Sequence, residues 1–376
     1  MDNRRHFLAR STWMLAGGTV WGNRPQRVEA SQELIGLGDS CIRVGLIGCG
    51  RRGTRAAMEA LSTQGPVKLV AMGDWFADNL QRSFRTINGK HCDQVDVRDR
   101  RYVGEDAYQR VLACDLDVVI LAAPPLFRPA HFKAAVDERK HIFMERPLAI
   151  DDVGVRSIAS TGQLAAQHRL SVAVGFQRRY DPKFTGALEL IQQGLIGTPT
   201  SSEVFRHFEP SRRPVRRRQS VRDNQLFHWR DYRWTSGHSY LESHVEDIDV
   251  IQWWMGRPPT SIQSIHDGVL FHFDQVPARH RFHTAQEVTA PTSFRLHGSR
   301  GTCDLLKGLI TDQDQRVVWR YRGAPGGRRS WQRQQDQFFA HLREGKRTDD
   351  LPFATNSTMA GILGCKHIGD DDRIEL

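Results

Sequence analysis

An α/β fold that begins with a doubly wound parallel sheet is predicted by three features of this 376-residue sequence. The first is a glycine-rich turn between an apolar run and a helix-forming run, "IRVGLIGCGRRG" at 42–53. The second is a carboxylate, Asp74, that closes the next apolar run, "VKLVAMGDW". The third is the return of the same rhythm in "DVVILAAPP", "PAHFKAAVDERK" and "HIFMERP". Short apolar runs alternating with helical stretches are the pattern of a parallel sheet covered on both faces.

The length suits one large or two ordinary domains, and 39% hydrophobic residues allow substantial cores, which excludes a disordered or fibrous chain. Part of the net charge of +10 sits in residues 1–30, where Arg4, Arg5, Arg10, Arg24 and Arg27 face only Asp2 and Glu29. That segment reads as a targeting leader: a basic start, the short apolar run "TWMLAGGTVWG", and a small-residue cleavage site at "VEA". Arg4-Arg5 followed by Phe7-Leu8 is similar to a twin-arginine export signal, so an exported protein, periplasmic or extracellular, is expected. A permanent membrane span needs about 20 apolar residues, so no membrane anchor is expected after cleavage. Twin-arginine export carries folded proteins, which suits a chain that takes up a cofactor beforehand. The cysteines at 41, 49, 92, 114, 303 and 365 have no metal-type spacing and are expected to be buried or free thiols.

Gly48, Gly50 and Gly53 form G-x-G-x-x-G between strand and helix. The first glycine allows the tight turn, the second lets the backbone approach a pyrophosphate, and the third lets helix and strand pack closely. Free N–H groups at the helix start then face the phosphates. Cys49, Arg51 and Arg52 fill the remaining loop positions. Asp74 stands 21 residues after Gly53, the spacing of a ribose-binding acid that accepts both hydroxyls and repels a 2′-phosphate, so NAD is expected over NADP. Arg51-Arg52 is the opposing feature, since a guanidinium there can reach a 2′-phosphate; a solvated loop is the plainer expectation. The strand ends gather Gly48–Gly53, Asp74, Pro124, Pro125 and Glu145-Arg146-Pro147 at one edge, where open α/β sheets bind ligands. Arg146 is expected to face the nicotinamide end.

These stretches, with "VGFQRRYDP" and "SGHSYLESHVEDIDVIQWWMG", resemble the Gfo/Idh/MocA oxidoreductases, and in particular exported members with twin-arginine leaders. The resemblance implies a Rossmann domain over 40–150 and, over 151–376, an α/β domain whose large, mostly antiparallel sheet binds substrate on one face and supports homo-oligomers through the other. It implies hydride transfer on a sugar or a sugar-derived polyol or ketone. Two positions depart from the family pattern. The E-K-P lysine is Arg146, which can fork onto an oxygen but rarely releases a proton. The usual acid/base histidine of E-Q-H-x-H-N-x-D is Glu246, while Glu242, His244 and Asp249 are kept. Arg146, Glu246 and His244 are therefore the expected catalytic groups, Glu246 on condition that burial raises its pKa toward neutrality. Glu242, Asp249 and Arg179 are expected on the substrate side, with a structural ion pair as the commoner role for Arg179. With both proton-handling positions altered, two other readings stay open: a glycosidase-like enzyme that keeps NAD and uses transient oxidation, and a catalytically impaired carbohydrate-binding scaffold.

The arginine- and aromatic-rich run at 209–234 has no nucleic-acid-binding module and is expected to be a loop or subunit contact. Trp229, Tyr232 and Trp234 are either a sugar-stacking platform or core. His131 starts a helix near the cofactor and is expected to cap and pack. The histidines at 271–283 fit no zinc spacing, so no metal is expected and strands are. Two closing helices of the second domain are expected from Ser330 onward.

Overall fold

The computed structural model describes residues 36–208, 220–284, 292–324 and 328–366. The expected leader lies outside the described residues, as do positions 209–219 of the arginine-rich run. Among the described residues no helix is long and apolar enough to cross a membrane.

The first half alternates strand and helix: β1 Ile42–Ile47, α1 Arg51–Leu61, β2 Val67–Asp74, α2 Ala77–His91, β3 Arg101–Val103, α3 Ala107–Leu112, β4 Val118–Leu121, α4 Arg128–Asp137, β5 His141–Met144, α5 Asp152–Gln167 and β6 Val172–Val174. The six strands pair in parallel in the order β3-β2-β1-β4-β5-β6. The order reverses between β1 and β4, and a doubly wound sheet opens its ligand crevice at that point. Apolar residues of β1, β2 and β4 are almost wholly buried, from Ile42 at 1% to Leu121 at 1% exposed, because helices cover both faces.

The second half contains α6 Pro182–Gln192, β7 Pro199–Phe208, α7 Val221–Phe227, α8 Arg233–Ser236, α9 Ser239–Met255, β8 Ser261–Ile265, β9 Gly268–Phe273, β10 Val276–Thr284, β11 Ser293–Gly298, β12 Gly301–Asp304, β13 Leu309–Asp312, β14 Val317–Arg320, α10 Arg328–Arg343 and α11 Leu351–Cys365. Its eight strands run in the order β14-β13-β12-β11-β7-β10-β9-β8, antiparallel except for the β7/β10 pair. The expected Rossmann sheet and mostly antiparallel sheet are therefore both present. The histidine-rich stretch forms β9 and β10.

The division at 150/151 does not follow the packing. β6 lies past it and completes the first sheet. α10 also returns to the first half: Phe338, Phe339 and Leu342 share a core with β1, β2 and α1, and Gln332 Nε2 donates to Glu59 O at 2.9 Å. Beyond α10, Val172 N donates to Thr348 O at 2.8 Å and Asp350 N to Val172 O at 3.0 Å, so this segment continues the edge of β6. The exposed edge and face of the parallel sheet need cover, and the chain supplies it from its far end.

Asp350 sits at this junction, 8% exposed, its Oδ2 accepting from Val174 N at 2.9 Å. Burial pushes its carboxyl up to about 7, against the pull of Val174 N–H and Arg179. A carboxyl raised in the fold gives stability that is fully present below its ordinary value of 3.8 and lost as pH rises through about 7. Asp350→Asn keeps an acceptor for Val174 N and removes the titration. Thermal unfolding from about pH 5 to about pH 8 should show the variant losing that pH dependence and melting above the wild type at the alkaline end, by at most roughly 4 kcal/mol. A variant less stable at about pH 8 would show that the ionised form is preferred.

Candidate active site at the carboxyl edge of the parallel sheet

Gly48 adopts φ +93, and a Cβ there would lie 2.3 Å from Ala123 N; a Cβ on Gly53 would lie 1.9 Å from Gly48 O. Both glycines serve internal packing. Gly50 differs: a Cβ there would meet nothing within 4 Å. It caps α1 without a side-chain acceptor, and the first turn of α1 holds no acid. The free N–H groups and positive end of α1 therefore open onto space, which fits a pyrophosphate.

Asp74 is 9% exposed and binds the loop: Oδ2 accepts from Cys49 N at 2.6 Å, and Oδ1 from Phe76 N at 2.8 Å and Asn79 Nδ2 at 3.2 Å. Burial raises its pKa while these donors lower it. A carboxylate has about four acceptor positions, so Oδ2 keeps one for a ribose hydroxyl. Cys49 contributes through its backbone; its thiol is buried against Gly73 O at 3.4 Å, and burial pushes it well above the usual thiol range.

Arg51 is exposed, but neither expectation for Arg52 holds. Its Nε lies 2.9 Å from Glu145 Oε1 and its Nη1 3.0 Å from Glu59 Oε2, so it is neither solvated nor turned toward a 2′-phosphate. The cause is Glu145, a buried carboxylate that needs a cation. Burial raises the Glu145 carboxyl, while Arg52, Arg146 and Arg128 draw it down. Gly175 makes room for it, since a Cβ there would lie 2.7 Å from Glu145 Oε2. Pro124 is half-buried and Pro125 buried in the turn after β4. Arg128, which the motifs did not single out, ties that turn to the end of β5: Nη2 donates to Ala123 O at 2.6 Å and Nη1 to Pro147 O. Its burial lowers the pKa to about 10. His131 packs as expected, stacked 4.3 Å from Tyr108, and burial lowers it to about 3.

Arg146, followed by a cis peptide bond to Pro147, reaches across to α9. Its Nη1 donates to Glu242 O, and its Nε lies 3.7 Å from Glu246 Oε1. Glu246 Oε2 lies 3.9 Å from Arg178 Nε, and Glu242 Oε1 3.1 Å from Arg230 Nη2. Glu246 is thus in ionic contact rather than isolated in an apolar pocket. Arg146, Glu242 and Glu246 come together because residues four apart share a helix face.

His244 does not join them. Two residues from either glutamate, it points to the second sheet, with Nδ1 3.6 Å from Asp247 Oδ2 and its ring 4.8 Å from His280. Burial lowers its pKa to about 4, so it is neutral at neutral pH. Asp249 is likewise not turned to a substrate, and Arg179 takes the structural ion pair expected as its commoner role. They form a two-pronged pair, Nε–Oδ2 2.8 Å and Nη2–Oδ1 2.9 Å, with Ser357 Oγ donating to Oδ1 at 2.9 Å. Asp249 is 1% exposed, so burial forces this pairing and leaves neither group turned to a substrate.

Asp247 is the main residue that the motifs do not single out. Fully buried, it accepts from Arg178 Nη1 and from Arg206 Nε at 2.9 Å and Nη2 at 2.6 Å. Burial opposes its charge, yet Arg178 and Arg206 hold it well below the usual carboxylate range. His244, Asp247 and His280 offer atoms within 4.8 Å of one another, a metal-like spacing, but the two guanidiniums already neutralise Asp247. Trp229 and Tyr232 are half-buried. Trp234, 40% exposed, faces a cavity of about 270 Å³ lined also by Ile150, Asp151 and Lys366, not by Arg146 or Glu246.

Comparison with known proteins agrees with this architecture. A profile described as oxidoreductase family, NAD-binding Rossmann fold, matches residues 42–176, and one for the family's C-terminal alpha/beta domain matches 188–316. An uncharacterised oxidoreductase, YrbE, of Bacillus subtilis is 25% identical over 59% of this chain and 56% of its own length. Inositol 2-dehydrogenase 4 of Saccharopolyspora erythraea is 27% identical over 60% of this chain and 57% of its own. The chain thus spans less than three-fifths of these relatives. Among solved structures, apo scyllo-inositol dehydrogenase from Lactobacillus casei superposes with TM-score 0.63 at 20% identity, covering 88% of this chain and 96% of that one. Levoglucosan dehydrogenase in complex with NADH and levoglucosan gives 0.67 at 15% identity, covering 87% and 97%. Two domain profiles that together span more than half the chain, on a fold shared with these dehydrogenases, place it in the Gfo/Idh/MocA oxidoreductase family.

Proposed function

We propose that this chain is an NAD-dependent oxidoreductase that moves a hydride to or from a carbon of a sugar or cyclic polyol. The observation that carries the reading is Arg146 Nε and Glu246 Oε1, 3.7 Å apart, with Glu145, next to Arg146 in the chain, bound to Arg52 of α1 at 2.9 Å. When bound, NAD supplies the hydride acceptor or donor. Gly50 and the first turn of α1 hold its pyrophosphate, and Asp74 takes a ribose hydroxyl. Arg52 is engaged by Glu145 and Glu59, which supports NAD over NADP. Arg146 donates to the reacting oxygen and orients it; burial opposes its charge, yet Glu246, Glu242 and Glu145 hold it above the ordinary guanidinium range, so it keeps its protons. Glu246 Oε1, close enough to share that hydroxyl, takes its proton as the carbon loses hydride. Glu242 holds Arg146 through its carbonyl and Arg230 through its carboxylate. The names of the inositol and levoglucosan dehydrogenases support a polyol or sugar substrate. Export through the leader, homo-oligomerisation and a carbohydrate partner belong to the same reading and rest on the sequence.

The test starts from protein purified without added cofactor, denatured to identify any released dinucleotide by mass, then assayed on sugars and inositols by nicotinamide absorbance. Product without net reduction would instead favour a redox-assisted hydrolase, and bound NAD without chemistry an inactive scaffold.

Three substitutions sharpen this. Gly50→Ala should leave the melting temperature nearly unchanged yet weaken NAD binding by about tenfold or more in a titration, because only the pyrophosphate needs that space. Gly53→Ala should destabilise the protein itself, since its Cβ would strike Gly48 O. Glu246→Gln should keep NAD affinity within about twofold and lower turnover by about 10²- to 10⁴-fold, the usual worth of a general base. Undiminished turnover would remove Glu246 from the mechanism.

A further inference from the structure

The second half also reaches the other end of the dinucleotide crevice. Trp75 Nε1, directly after Asp74, donates to Asp223 Oδ1 of α7 at 2.9 Å. Phe76 meets Phe227 of α7 edge to face at 5.4 Å. Arg222 of α7 lies over the Trp75 ring at 5.1 Å and pairs with Glu105, after β3, at 3.1 Å. Trp75 in turn stacks at 5.8 Å on Phe127, in the turn after β4. α7 is therefore fastened to the loops that follow β2 and β3, and through Trp75 rests on the turn after β4. Ser220 fixes the Asp223 carboxylate for this task, donating to Oδ2 at 2.8 Å while its Oγ accepts from Asp223 N at 3.0 Å.

These loops flank the place where the adenosine half of a dinucleotide lies, with its ribose at Asp74. Resting on the cofactor reading above, we propose that Trp75, Asp223 and Phe227 are positioning residues for the dinucleotide: they hold α7 across the adenosine end and make NAD a retained group rather than an exchanging co-substrate. Release requires the Trp75–Asp223 hydrogen bond and the Phe76–Phe227 pairing to open together; with the dinucleotide held, each turnover would pass the hydride taken from one alcohol, and the proton taken by Glu246, on to a second carbonyl substrate, which leaves as its alcohol.

The experiment compares wild type, Asp223→Ala and Phe227→Ala for dinucleotide content after desalting and for the rate at which bound NAD exchanges with labelled NAD. The wild type should carry dinucleotide and exchange it slowly. Each variant, with an unchanged melting profile for the apoprotein, should release it about tenfold to a hundredfold faster, as expected when a closed state is deprived of one hydrogen bond or one aromatic pair. Fast exchange in the wild type, or equal rates in all three, overturns the inference while leaving NAD binding intact. No binding by any of them, even on titration, overturns both this inference and the cofactor reading.

Discussion

The arrangement of this protein depends on one constraint: a carboxylate taken out of water must meet a cation. Glu145, Glu246, Asp247 and Asp249 all lie at or near the junction of the two sheets, none more than 8% exposed. Each is matched by guanidinium groups: Glu145 by Arg52, Glu246 by Arg146 and Arg178, Asp247 by Arg178 and Arg206, Asp249 by Arg179. A planar fork with five donors can serve two partners at once, as Arg178 does, where an ammonium offers a point charge. Breaking such a pair by removing one partner typically costs about 3–5 kcal/mol, so the junction tolerates change only in matched sets.

That constraint bears on the two departures from the family pattern. Arg146 faces Glu246, and the two are complementary in charge. An arginine opposite a histidine would have lacked the second carboxylate that helps to hold it. On the function proposed above, the exchange would move the proton-handling duty rather than abolish it: a guanidinium orients an oxygen, and a carboxylate beside it can take a proton. Arg146 therefore has two roles that use different atoms, Nη1 toward the Glu242 carbonyl and Nε toward Glu246.

Local signals made the cofactor edge legible. The glycine spacing, Asp74 at a strand end and the strand-helix rhythm each depend on neighbours in sequence, and the structure places them together. Helical periodicity likewise separates His244 from Glu242 and Glu246 once the segment is read as helix, a step the motif alone does not force. What stayed illegible was pairing across distance. Nothing near Arg179 announces Asp249, 70 residues on, and nothing near Arg52 announces Glu145. Asp247 was hidden by reading its position as part of a motif rather than as a buried charge with Arg178 and Arg206 to satisfy it. The boundary at 150/151 failed for a related reason: the edge of β6 is closed by residues 348–350, which sequence order places in the other half.

The anchoring of α9 shows which wall of the crevice is fixed. Asp247 is bound from the second sheet by Arg206, on β7, and from the junction by Arg178, while Tyr240 Oη and His280 Nδ1 stand 2.9 Å apart beneath the same helix. One turn of helix therefore carries both the buried anchor and Glu246, and a shift of Glu246 would have to drag a fully buried ion pair with it. The opposite wall is held by Arg128, which ties Ala123 O to Pro147 O. Between two walls fixed in this way, the gap at Arg146 and Glu246 is set by the fold before any ligand enters. Such preorganisation is what lets charged groups act on a developing alkoxide without first rearranging. Buried charge, costly as it is for stability, here serves mainly to keep Arg146 and Glu246 in place.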